Sequence, residues 1–315
     1  MPRHADASGE VKPDAPSSTL EALRRPSVPR RRSIFAIPAP VKQLFNRFPL
    51  AMYDANELPL SAPRSRELLR LYVFADGGGD GLEVVSFNPS CLKYQAYLRF
   101  RNIQFRVVSS SNHASPSGSL PFLLPKSAGT SGDSQSLDPI PGNKLAKWAD
   151  GQESKFEEPS DPRSDAYMAL VDHSIRRAWL YALYLTSNFR SVIWPLYILP
   201  TSSNSLVRWS IGYDLRKAAE AELLKFSPTI DADLLYLEAR DAFESLDGIL
   251  GSDTWFFGAK EPGLLDAAVF AYTNFLLDPN YGSGWTDDWL VGALEGRDGL
   301  RRHREQIREQ YFVVS

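Results

Sequence analysis

Two hydrophobic periodicities divide this chain. Between residues 71 and 124 apolar side chains come in short runs or alternate. "LYVFA" from Leu71 predicts a short buried strand that runs into the glycine loop "DGGGDG". "IQFRVVS" from Ile103 alternates as a strand does, and "GSLPFLLP" from Gly118 predicts a third strand with Pro121 at its start. Between the first two, "NPSCLKYQAYLRFRN" predicts a helix. Pro89 suits its first position, and Leu92, Ala96 and Phe100 share one face. A polar loop over 127–142 follows, then "NKLAKWAD" as a further helix; no pattern marks a fourth strand.

From Pro162 the period becomes helical. In "SDAYMALVDHSIRRAWLYALYL" apolar positions recur at Tyr167, Leu170, Val171, Ser174 or Ile175, Ala178, Trp179 and Ala182. "YDLRKAAEAELLKF", "DADLLYLEARDAFESLDGIL" and "LRRHREQIREQYF" continue the theme. The stretch Trp255 to Ala271, "WFFGAKEPGLLDAAVFA", is different. Gly258, Pro262 and Gly263 break the chain, and Lys260 and Glu261 keep the turn wet. Gly263 then takes the N-cap place of a helix with Asp266 at N3, where a carboxylate accepts from the cap N–H and meets the positive helix end. Glycine brings no side-chain oxygen, so half a capping box is expected. Leu264, Leu265, Ala267, Ala268, Val269, Phe270 and Ala271 leave no broad polar face, so this helix belongs inside the protein.

The flanks change the picture less. Residues 1–33 hold seven basic and four acidic groups among five prolines, a net +3 that predicts a disordered tail. Its "RRPSVPRRRS" offers anionic lipid a contact or a kinase a site, beside the plain reading of an idle solvated tail. The tail has no apolar signal-peptide core, and its acids do not suit a transit peptide. Residues 34–67 are apolar and proline-rich; Val41, Leu44, Phe45 and Phe48 mark one face of a short amphipathic helix. The longest greasy run, 179–199, is broken by Asn188, Arg190 and Pro195, which predicts two buried helices rather than a membrane span. It is also the best candidate for an apolar contact surface.

With 315 residues, 43% apolar content and a net charge of −3, the chain suits two globular domains and argues against nucleic acid as main partner. One cysteine, Cys91, excludes a disulfide framework. Four scattered histidines (His4, His113, His173, His303) give no metal pattern, and no cofactor is expected.

Strand, helix, strand, loop and x-Pro opening a strand, followed by helices, is the order of the glutathione-transferase fold. "SLDGILGSDTWFFGAKEPGLLDAAVFAYTNFLL" resembles the central part of that fold's helical domain. The resemblance implies an α+β/all-α two-domain protein, with a thioredoxin-like domain over 68–150 and an all-α domain over 160–312, and no sheet within 165–310. It also implies a cis bond before Pro121, bordering a groove beside a helix N-terminus. An active transferase needs a hydroxyl or thiol at that helix end. Ser90 and Cys91 in "NPSC" are the candidates, so Ser90, Cys91 and Pro121 mark a vestigial groove; Gly263 and Asp266 form a structural cap. The family's Glu/Asp-Ser pair has no counterpart in "PGNKLAKWAD", so catalysis is not expected.

Over residues 34–312 the chain more closely resembles the metaxins and their fungal counterparts in the mitochondrial outer-membrane sorting and assembly machinery. "IPAPVKQLFNRFPL", "NELPL", "NPSCLKYQAYLRFRNIQFRVVSSSNHASPSGSLPFLLP", "DAYMALVDHSIRRAWLYALYL" and "LRRHREQIREQYF" carry that resemblance. It implies a non-catalytic subunit on the cytosolic face of the outer membrane, peripheral and, without a C-terminal span, of the metaxin-2 type. The implied partners are the machinery's barrel subunit, a second metaxin-like subunit and β-barrel precursor strands. A thiol transferase and a soluble transferase-like interaction domain are the alternatives.

Overall fold

The computed structural model describes residues 68–75, 84–126, 138–152, 158–159, 161–279 and 284–312, all within one compact unit spanning Ala62–Ser315. The basic tail, the 34–67 extension with its predicted helix, the glycine loop and most of the polar loop after Lys126 lie outside the described residues.

Four strands form the sheet: β1 (Leu69–Val73), β2 (Phe105–Ser109), β3 (Phe122–Leu124) and β4 (Ile140–Pro141), in the order β2-β1-β3-β4. β1 pairs in parallel with β2, setting Leu71 opposite Val107, and antiparallel with β3, setting Leu71 opposite Leu123. Leu69, Leu71 and Val73 point into the core, while Tyr72 on the other face stacks on Phe122 at 4.4 Å. The fourth strand that hydropathy does not reveal is β4. It has two residues, too few to alternate, and ends in a proline that cannot donate to a ladder.

Helix α1 (Pro89–Phe100) crosses from β1 to β2, burying Leu92, Ala96 and Phe100. It stops at Asn102, whose φ of +54° places it in the left-handed region that asparagine tolerates. Ile103 N donates to Leu98 O (3.0 Å) and Asn102 N to Arg99 O (2.9 Å), the paired bonds that close a helix C-terminus. Helix α2 (Gly142–Asp150) follows β4.

The remainder is helical: α3 (Ser164–Leu170), α4 (Arg176–Tyr184), α5 (Ser205–Leu223), α6 (Ala232–Leu250), α7 (Leu264–Leu277), the short α8 (Trp289–Gly292) and α9 (Asp298–Tyr311). Among the described residues no strand falls within 165–310. The periodicity of 164–185 predicts one uniform α-helix; instead α3 and α4 are joined by a π-turn over Val171–Ile175. A second π-segment, Phe189–Ile198, contains Pro195. Proline has no N–H to give, so the usual bond pattern cannot run through this position.

Two apolar cores result, and α7 belongs to both. Leu265, Ala268, Val269, Tyr272, Phe275 and Leu276 pack among the other helices. Ala267, Phe270 and Ala271 join the core under the sheet, with Leu71, Val107, Leu92 and Ala96. The missing polar face is thus explained: no side of α7 meets water between Leu265 and Leu276. Trp255 and Ile307 also enter the sheet core. Arg99 of α1 holds Tyr311 O at 2.6 Å and lies 4.2 Å over the Phe312 ring.

Phe270 is fully buried where the two cores adjoin. Phe270→Ala is expected to cost about 3–5 kcal/mol, the usual range for emptying such a site. Circular dichroism of the sheet and helical signals should show one shared transition at a lower temperature.

Candidate functional site

The place where a transferase would hold a thiolate is the N-terminus of α1. Asn88 sits there in an extended conformation, and its Oδ1 accepts from Cys91 N at 3.2 Å. Its carbonyl accepts from Cys91 N (3.0 Å) and Leu92 N (2.8 Å), and Pro89 contributes no N–H. The Cys91 and Leu92 N–H groups are therefore turned toward the chain's own cap. Asn88 Nδ2 in turn donates to the Tyr197 hydroxyl at 3.0 Å. The Tyr197 ring packs edge-on to Phe87 (4.9 Å) and Phe74 (5.1 Å), so the π-segment of the helical half lies directly against the cap.

Of the two candidate nucleophiles, Ser90 is exposed and Cys91 is completely buried in the sheet core. Burial pushes the Cys91 thiol from 9.0 up to about 12; hydrogen bonding with the Phe74 backbone and the Ser86 side chain pulls the other way and loses. A proton is thus held on sulfur throughout the physiological range.

The Leu120–Pro121 bond is cis. Leu120 N donates to Asn112 Oδ1 at 3.0 Å. Gly142 closes the other side: a Cβ there would stand 3.1 Å from Pro121 O, so glycine lets α2 begin against the proline. The turn from β4 into α2 reads Pro141-Gly142-Asn143-Lys144 and offers neither carboxylate nor hydroxyl.

Asp266 lies at N3 of α7 and is 1% exposed. Its Oδ2 accepts from Gly263 N at 2.8 Å, one arm of a capping box, since Gly263 has no side chain to return the bond. Any larger residue at 263 would strike Pro159, whose Cδ lies 2.9 Å from a built Cβ. A carboxylate from far upstream fills the gap: Glu158 Oε1 accepts from Leu264 N at 2.8 Å. Asp266 Oδ1 does two further things. It accepts from Phe256 N at 3.1 Å and stands 2.9 Å from His303 Nε2, so the ring proton belongs on Nε2. Phe256 opens a 3₁₀ turn in which Phe257 and Gly258 both have positive φ, +61° and +64°. One carboxylate therefore ties together a helix start, a strained aromatic turn and α9.

Sequence reasoning missed several partners. Tyr97 of α1 gives its hydroxyl to Asp150 and Glu158, both at 2.9 Å, and Arg101 pairs with Asp150 at 2.8 Å. Glu158 thus joins α1 to the start of α7. His303 had a readable signal, since it shares the buried stripe Leu300–His303–Ile307 of α9. Asn88 had one too: asparagine before a proline at a helix start.

Known proteins show the same outline. Residues 89–189 match the model of the glutathione S-transferase N-terminal domain, and residues 239–307 that of the glutathione S-transferase C-terminal domain. The crystal structure of the glutathione transferase GSTFuA3 from Phanerochaete chrysosporium superposes with a TM-score of 0.50 at 13% identity, covering 79% of this chain and 99% of that one; it bears on the fold alone. Fold and site together define a glutathione-transferase-like protein whose thiol position is occupied by its own helix cap. Metaxin-1 of Macaca fascicularis is 27% identical over 247 residues, 76% of this chain and 74% of its own length. Metaxin-1 of Homo sapiens is 26% identical over 247 residues, 76% of this chain and 51% of its own. The chain is thus similar to metaxins over 76% of its length.

Two outcomes test the geometry. Because folding raises the thiol pKa, the native state holds the proton more tightly. That stabilisation is full below the unfolded value of 9.0 and is lost as pH rises toward about 12. Iodoacetamide should therefore label Cys91 slowly in the native protein through pH 9 and quickly after denaturation. Asp266→Ala should lower stability by about 3 kcal/mol, because it strands two backbone N–H groups and a buried imidazole; an unchanged melting temperature would contradict this role.

Proposed function

We propose that this chain is a non-catalytic subunit of the mitochondrial outer-membrane sorting and assembly machinery. It works on the cytosolic face as a peripheral protein. There it helps recognise β-barrel precursors and promotes their insertion with the barrel subunit and a second metaxin-like subunit. The observation that carries the non-catalytic part is the closed thiol position, where Asn88 caps α1, Tyr197 seats on the cap and Cys91 is buried. The likeness to metaxins supports the rest.

The physical logic is that of an unfinished strand. A barrel precursor exposes alternating apolar side chains and unpaired backbone groups, and a receptor satisfies them by adding the strand to a sheet edge. In the four-stranded sheet β2 and β4 are the edges, and β2 is the longer, with five residues against two. The longer β2 edge is the better template for an added strand.

For stable attachment we look to a surface other than the 179–199 run. Residues 179–199 spend Trp179, Leu183, Phe189 and Ile193 in the core. The open face belongs to α5: Leu206, Trp209 and Tyr213, three and four residues apart, are 78%, 66% and 55% exposed, and the two rings stack at 6.0 Å. The other face of α5 packs against Trp194 and Ile198 at Gly212. We assign the α5 stripe to the barrel subunit. Among the described residues no helix is long and apolar enough to cross a membrane.

Carbonate extraction of outer membranes should release the protein, and loss of the barrel subunit should leave it soluble or degraded. Trp209→Ala with Tyr213→Ala should weaken co-purification with the barrel subunit without moving the melting temperature. Carbonate resistance without that subunit would overturn the membrane assignment. Retention on glutathione-agarose with thiol conjugation would restore the transferase reading, and absence from purified outer-membrane complexes would favour a soluble interaction domain.

A further inference from the structure

A second feature lies away from the sheet, where the start of α6 meets the turn before α8. A cleft of about 920 Å³ opens there. Its aromatic wall is Tyr236 stacked on Trp289, with centroids 6.2 Å apart and planes 15° from parallel. Trp289 is 71% exposed, so one face of its ring is free to receive a ligand. Leu237, 44% exposed, adds apolar surface.

The wall is held rigidly. Asn188, fully buried, donates from Nδ2 to Asp287 O (2.8 Å), and its Oδ1 accepts from Thr286 N (2.8 Å) and Asp287 N (3.0 Å). The turn so fixed places Asp287, whose Oδ2 accepts the Tyr236 hydroxyl at 3.0 Å. The residue that interrupts the greasy run in the sequence thus builds this turn.

The charge is one-sided. Among the described residues Asp233, Asp287, Asp288 and Glu295 line the cleft against one cation, Arg240, which itself pairs with Asp241 at 3.5 Å. Burial and the neighbouring Asp287 charge both raise the Tyr236 phenol, in keeping with negative potential at the wall.

We infer that this cleft binds a cationic peptide segment, laying an Arg or Lys side chain on the Trp289 ring within reach of the carboxylates while an apolar neighbour covers Leu237. An exposed aromatic face attracts a cation through its quadrupole, and carboxylates around it strengthen the attraction where water is partly excluded. Charge complementarity selects the occupant: an acidic peptide or an anionic lipid headgroup would meet net repulsion here. A cleft with these properties is independent of whether the chain serves barrel assembly.

The test uses the full chain and a short fluorescein-labelled peptide of Arg, Lys and Leu, measured by anisotropy beside a counterpart with Glu at every basic position. Trp289→Ala should weaken binding about threefold to fivefold, as expected for an exposed cation–π contact. Asp288→Asn with Glu295→Gln should weaken it further and flatten its salt dependence. These three side chains are exposed, so melting temperatures should stay unchanged. Equal binding of the acidic counterpart, or cationic binding untouched by all three substitutions, would overturn the inference. So would a dimer that Trp289→Ala dissolves, or binding to phosphatidylserine vesicles lost in the same variant, because the occupant would then be a second copy or a lipid surface.

Discussion

The structure depends on a single carboxylate that has no access to water. A buried Asp is costly unless its oxygens are filled, and Asp266 is filled by three donors from three places: Gly263 N–H, Phe256 N–H and the His303 ring. Removing any one leaves polar atoms stranded in an apolar surrounding. The carboxylate therefore fixes where α7 starts, how the aromatic turn before it bends and how α9 lies across both. α7 is in turn the element on which the two cores meet, so the position of the sheet relative to the helices follows from the same group.

A second constraint acts at the N-terminus of α1. A transferase keeps the N-terminus of α1 open, because the helix end and its N–H groups stabilise a thiolate. Here the same N–H groups serve an asparagine, and the helical half supplies Tyr197 to hold the asparagine in place. Tyr197 thereby packs against this helix end, while Ser90 stays exposed beside it. Cys91, one residue beyond exposed Ser90, has turned inward as a small apolar side chain, and its raised pKa follows from that orientation. Among the described residues the α5 stripe and the acidic cleft stay exposed.

Much of this was readable in the chain. Long helical periods declare themselves, and so does a helix without a polar face, since hydropathy reports burial directly. Asp266 was readable because capping is local: the N3 carboxylate and its N-cap lie three residues apart. Its other partners were not, because Phe256 and His303 reach it through tertiary folding that no spacing encodes. β4 escaped for a different reason, a two-residue strand being shorter than its own period. The π-turns escaped because apolar spacing tolerates one wide turn. The aromatic run at 179–199 reads chiefly as buried helices, and Trp179, Leu183, Phe189 and Ile193 are core residues; composition does not say which of its remaining rings point outward. Asn188 looked like a mere interruption there, although its buried amide organises a turn almost a hundred residues downstream.

The distance between Asp266 and His303, 37 residues along the chain, bears on how the protein is born. A ribosome delivers the carboxylate well before the imidazole, so for the interval between them the cap lacks one of its three donors. During that interval α7 has two apolar sides to cover and incomplete neighbours to cover them, which makes this helix the natural stretch for a chaperone to shield. Only when α9 emerges can His303 reach Asp266 and Ile307 enter the sheet core. Closure of the fold at Asp266 therefore waits on a histidine that lies 37 residues further along the chain.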